Sequence, residues 1–185
     1  MTQSVELLLD DEQDAAVRGQ WALLAAAGLP SQARHTGATN RPHITLTLAG
    51  AVPAYLEIAL KSALTGRLPI PIRLGGLICF AGRGETGAAV QVLARSVVPN
   101  LELLELQATC AELFSDLTGL SPDLQPGAWS PHVTLAHRLP AHQVSTAILA
   151  LGRHQELAGT GVEVRRWNSD TQDAWLVSRP RPART

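Results

Sequence analysis

The sequence predicts an α+β protein, bilobal, with two pseudo-twofold related lobes of antiparallel sheet plus helices around a central cleft. Three observations predict it. The word Pro-His-aliphatic-Thr-Leu is written twice, in NRPHITLTLAG at residues 40–50 and in SPHVTLAHRLP at residues 130–140. The order strand, helix, loop, His-Thr strand, helix, strand also runs twice, at a period too long for a solenoid. Hairpin-like strand pairs follow the helices, which suits segregated antiparallel sheets better than a doubly wound parallel one.

The first strand is SVELLLD, a short apolar run that turns acidic. DEQDAAVRGQWALLAAAGLP follows as a helix, with acids in its first turn, apolar residues at helical spacing and a Gly28-Leu29-Pro30 stop. The polar loop SQARHTGATNRP leads into the first His-Thr strand, and PAYLEIALKSALTG then reads as a helix. LPIPIRLGGLICFAG reads as one or two strands. AGRGETGAA, at 81–89, is expected to connect the lobes; its GRGETG core lacks the lysine and helix of a phosphate loop and is a turn.

The second series opens with the strand AAVQVLARS and the helix PNLELLELQATCAELFSDLTGLSP, which has its own glycine stop at Gly119-Leu120. DLQPGAWSP is the loop before the second His-Thr strand. The helix AHQVSTAILALG and the strands GVEVRRWN and DAWLVSR complete the chain. One domain is expected over 1–185, with the repeat at about 4–80 and 88–168, a strand at 172–178 and a mobile tail from Arg179.

The 185 residues are 45 % apolar and 17 % charged, the composition of a chain that buries a core. A net charge of −1 gives no global field for nucleic acid or membrane, so contact with an anionic substrate must be local. No apolar run approaches the roughly 20 residues a membrane helix needs, and the N-terminus has no basic leader. Cys79 and Cys110 match no metal spacing and read as buried thiols. A cytoplasmic monomer without cofactor or metal is expected.

Side chains alternate along a strand, which puts His43, Thr45 and Thr47 on one face and Ile44, Leu46 and Leu48 on the other. In the second copy His132, Thr134 and Arg138 share a face, with Val133, Leu135 and His137 away from it. A pseudo-twofold axis between the lobes brings the two His-Thr faces together across a cleft. Two imidazoles, titrating near pH 6.5, and two hydroxyls suit a general acid, a general base and donors for nonbridging oxygens. Phosphate esters need that combination.

Duplicated H-x-T-hydrophobic motifs within matched repeats resemble the two-histidine (2H) phosphoesterase superfamily, and most closely its 2′-5′ RNA ligase-like branch. The resemblance covers Ser4 to about Arg179. It implies a metal-independent phosphodiesterase acting on terminal 2′,3′-cyclic phosphates of RNA or on small cyclic nucleotides, in some members with reversible 2′-5′ ligation. By motif position, His43 and His132 become the acid/base pair, acid and base respectively, and Thr45 and Thr134 the phosphate-binding hydroxyls. Members often carry Arg five residues after the second histidine. Here that place holds His137, so strand parity gives the phosphate clamp to Arg138 unless a bulge shifts the register.

Arg34, His35 and Arg41 stand where they can close over a phosphate, while Trp129, and Trp167 with Arg165 and Arg166, can stack on a base. His142 and His154 read as surface residues. A non-catalytic module binding a nucleotide or RNA end in the same cleft is the alternative to the enzyme.

Overall fold

The computed structural model describes residues 2–83, 87, 89–152 and 155–180. The N-terminal repeat supplies β1 (Gln3–Leu9), α1 (Asp11–Ala26), β2 (His43–Ala49), α2 (Ala54–Ala63) and β3 (Ile70–Arg83). The later part of the chain supplies β4 (Ala89–Val97), α3 (Leu101–Leu113), β5 (His132–Pro140), α4 (Val144–Leu151) and β6 (Leu157–Asn168), and β7 (Ala174–Ser178) follows. His154, part of the 81–89 segment and most of the C-terminal tail lie outside the described residues.

Helix starts follow from side-chain capping. Asp10 accepts the backbone N–H of Gln13 ahead of α1, and Asn100 accepts that of Leu103 ahead of α3. After these two helices the chain turns at Gly28 and Gly119, both at positive φ, +73° and +75°. At Gly119 a side chain would also collide with the backbone, since an added Cβ would lie 3.0 Å from the Gly50 nitrogen.

The strands form one antiparallel sheet in the order β1-β2-β5-β4-β3-β6-β7. Long β6 changes partners along its length. Leu157–Gly161 pair with β3, and the residues from Gly161 to Asn168 pair with β1. β2 meets β5 through the single pair Ile44↔Val133. The sheet thus divides into a β2-β1-β6-β7 half and a β5-β4-β3 half: β6 and β7 from late in the chain join β1 and β2, and β3 joins β4 and β5.

Segment 81–89 is therefore not a connection between lobes. β3 and β4 pair as far as Arg83↔Ala89, so the strands on either side of the segment are neighbours within one half of the sheet.

One face of the sheet is apolar and lies under the helices. Ile44, Leu46, Val133 and Leu135 are fully buried there with Val17, Trp21 and Leu24 of α1 and Leu103, Leu106 and Cys110 of α3. Cys110 is buried, as expected, and burial pushes its thiol up to about 12. Cys79 is exposed, against expectation. Among the described residues no helix is long and apolar enough to cross a membrane.

Candidate active site

The other face of the sheet carries the two motifs, and both strands break step at the same place. In β2, Glu6↔Thr45 is followed by Val5↔Thr47, which leaves Leu46 as an extra residue. In β5, Ala94↔Thr134 is followed by Leu93↔Ala136, which leaves Leu135 as the extra residue. A bulge of this kind flips the parity of everything after it.

Two expectations fall for that reason. Thr47 does not share the cleft face: it is 1 % exposed, and its hydroxyl has no hydrogen-bond partner. Leu48 takes its place on the cleft wall. Arg138 likewise does not line the cleft, and His137 does. Arg138 sits at φ +54° beside a second irregularity of β5, opposite the step from Leu93 to Gln91.

A cavity of about 640 Å³ opens over the motifs. His43, Thr45, His132, Thr134 and His137 line it together with Ser4, Glu6, Arg165 and Trp167. The loop before β2 contributes Arg34, His35 and Arg41 to its rim. Arg34 bonds the Leu29 carbonyl, while Arg41 pairs with Asp14 at 3.2 Å and Glu163 at 4.0 Å.

The two histidines are held alike. Nδ1 of His43 lies 2.7 Å from the Arg41 carbonyl, and Nδ1 of His132 lies 2.8 Å from the Ser130 carbonyl. A carbonyl only accepts, so each Nδ1 carries the proton and each Nε2 is left for the cleft. The backbone leading into each strand does this in both copies, since each carbonyl belongs to the residue two before its histidine.

The indole of Trp129 donates to the Thr45 carbonyl at 3.1 Å, and that of Trp21 donates to the Thr134 carbonyl at 3.0 Å. Trp129, expected as a stacking surface, thus braces the opposite motif and packs on the core. Trp167 does line the cavity. Arg166 turns to the other side, where it pairs with Glu57 and covers the ring of Trp175.

The floors beneath the motifs differ. Under His43 lies Glu6, 3 % exposed, whose Oε1 is 3.5 Å from His43 Nε2 and accepts from the Ser4 hydroxyl at 2.7 Å. Its Oε2 accepts from Arg165 Nε at 2.8 Å. Burial alone would push this carboxyl up, but the charges of His43 and Arg165 and the hydrogen bonds from Ser4 and Arg165 hold it below the usual range. The corresponding partner of Thr134 is Ala94, and the ring of Phe80 lies 4.6 Å from that of His132.

Burial pushes the His132 imidazole down, the charge on His43 adds to this, and the Ser130 carbonyl opposes it. His137 is pushed down by packing around its ring and then by the charges of His35, His43, His132 and Arg138. Sequence reasoning missed Glu6 altogether. The signal was one acid inside an apolar strand, with a basic pair in GVEVRRWN to meet it. Among the described residues no cluster of three or more His, Cys, Asp or Glu side chains is arranged to hold a metal.

Residues 14–173 match the family model described as the 2′-5′ RNA ligase superfamily. No curated protein matches significantly. TT0787 of Thermus thermophilus is similar over 97 % of this chain and 96 % of its own, with TM-score 0.58 and 20 % identity. Kluyveromyces marxianus Usb1 is similar over 95 % and 97 %, with TM-score 0.52 and 12 % identity. Escherichia coli LigT, in a structure complexed with 3′-AMP, is similar over 97 % and 94 %, with TM-score 0.50 and 21 % identity. At these identities the likeness is one of fold.

Proposed function

Because the chain belongs to the 2′-5′ RNA ligase superfamily of two-histidine phosphoesterases, we propose that it hydrolyses 2′,3′-cyclic phosphates of RNA ends or nucleotides without a metal. One observation carries the reading: two imidazoles, each with Nδ1 tied to the carbonyl two residues before it, turn Nε2 toward one cavity that two motif hydroxyls share. Binders need no such pair. LigT complexed with 3′-AMP and Usb1 with uridine monophosphate are nucleotide-bound relatives in fold, which is consistent with a nucleotide in this cleft.

The unlike floors support unlike roles. Both nitrogens of His43 face acceptors, the Arg41 carbonyl and the Glu6 carboxylate, a setting for an imidazolium that gives a proton. Among the described residues no carboxylate pairs with His132, which burial and the charge of His43 hold below the usual imidazole range. At neutral pH it is free to take a proton.

In the resulting reaction a water gives its proton to His132 Nε2 as its oxygen attacks phosphorus. The bond from phosphorus to one ribose oxygen breaks, and that oxygen takes the proton of His43. A phosphomonoester and a free hydroxyl result. Thr45, Thr134 and, when charged, His137 donate to the nonbridging oxygens, where transition-state charge accumulates. The same chemistry with a 5′-hydroxyl in place of water is 2′-5′ ligation.

The test is incubation of purified protein with 2′,3′-cyclic nucleotides and cyclic-ended oligonucleotides. Release of a phosphomonoester is expected. Tight nucleotide binding with no product from any substrate would contradict the enzyme and leave a binding module.

A further inference from the structure

The two motifs look interchangeable, but the strands beside them are not. Directly paired residues of antiparallel strands share a face, so the floors can be read from the register. Beside Thr45 the floor runs through Glu6 to Arg165, and beside Leu48 through Ser4 to Trp167. Beside Thr134 it runs through Ala94 to Ile78, with Val92 and Phe80 paired next along the same strands. One floor is polar and charged; the other is apolar. The aromatics Trp167 and Phe80 occupy corresponding places, and the carboxylate has no counterpart.

Resting on the acid/base reading above, we propose that Glu6 is the positioning residue that makes the two histidines unequal. Its carboxylate, 3.5 Å from Nε2, orients the His43 imidazole as the proton donor and sets a negative charge beside it. It also keeps the Arg165 guanidinium engaged and away from the substrate phosphate. Glu6 does not act on substrate itself: it is 3 % exposed, and its oxygens are already met by Ser4, Arg165 and His43.

The electrostatics around the pair favour this assignment over a passive one. The charged and titratable groups that line the cavity with His43 are Glu6 of β1, Arg165 of β6, His132 and His137 of β5, and Arg34, His35 and Arg41 of the loop before β2. Glu6 is the one acid among these cavity-lining groups. The Arg41 carbonyl fixes the ring from Nδ1, and the buried Glu6 carboxylate sets a negative charge 3.5 Å from Nε2, the nitrogen turned to the cleft. An anion this close to a phosphate site also repels the substrate, a cost that a merely structural residue would have no reason to impose.

Glu6→Gln keeps the shape and removes the charge. We expect kcat to fall about tenfold to a hundredfold, less than a whole general acid is worth. The alkaline limb of the rate profile should move to lower pH, so the loss is greater at about pH 8 than at about pH 6. KM should fall, and inorganic phosphate, titrated calorimetrically, should bind about threefold or more tightly, because a repelling anion is gone and Arg165 is released. The calorimetric arm needs no turnover and so stands even if the hydrolytic reading fails. A pH-independent loss of rate with weaker phosphate binding overturns the proposal, as does a variant indistinguishable from the parent. Glu6→Asp provides a second variant: it keeps the charge on a shorter arm and should hold the alkaline limb and phosphate affinity of the parent. If it matches Glu6→Gln in both, the charge is not what matters and the proposal fails.

Discussion

Leu48 and His137 stand at the same offset, five residues beyond the histidine of their own motif, and both line the cleft. The paired bulges at Leu46 and Leu135 put them there. One copy thus offers the substrate an apolar wall and the other an imidazole.

His137→Ala should raise KM for cyclic nucleotides by about tenfold, the worth of one hydrogen bond to a charged oxygen. Arg138→Gly, which relieves a left-handed backbone, should leave kcat/KM within about threefold of the parent. Steady-state kinetics of the two variants decide between them. A larger effect at Arg138 would restore the unbulged register.

The threonines give a test with its own control. Thr45→Val and Thr134→Val keep the β-branched shape and each remove a donor, so turnover should fall by about 10² to 10³. Thr47→Val, at a buried hydroxyl without a partner, should leave turnover unchanged and stability equal or higher. Slowed turnover in Thr47→Val would mean that the face assignment is wrong.

How far these residues were legible depends on what kind of signal they left. His43, Thr45, His132 and Thr134 were legible because the same word recurs in matched surroundings, and a strand carries it in both. His137 was not, since strict alternation is a property of an unbroken ladder and nothing in the composition of HVTLAHRLP marks Leu135 as an extra residue. Glu6 was hidden because its partner Arg165 lies 159 residues away. Segment 81–89 misled for a related reason: exchange of β3 and β6 between the halves is a long-range pairing, invisible to a reading of element order.

Stability should fall in acid. His132 and His137 both sit below the ordinary imidazole value of 6.5. The unfolded chain therefore takes up protons first as pH drops, and their contribution, present above that value, is lost as pH falls toward the folded-state values. Glu6, held below the carboxylate value of 4.5, adds a further loss at lower pH. Thermal unfolding across this range checks it, with His137→Gln expected to reduce the upper part of the decline. A melting temperature that rises on acidification would contradict the assignments.

Activity should survive excess chelator. In the proposed mechanism the acid, the base and the oxyanion donors are all side chains of this chain, and the step calls for no metal. Loss of rate on chelation, restored by adding a divalent ion, would refute this.

The central claim is that His43 and His132 act together as acid and base on a cyclic phosphate. The most direct measurement is the hydrolysis rate of a 2′,3′-cyclic nucleotide by the parent, His43→Ala, His132→Ala and the double variant, each shown to be folded. Each single change should cost about 10² to 10⁴ in rate, and the double should be little worse than the worse single because the groups act as a unit. Near-parental turnover in either single variant would contradict the account.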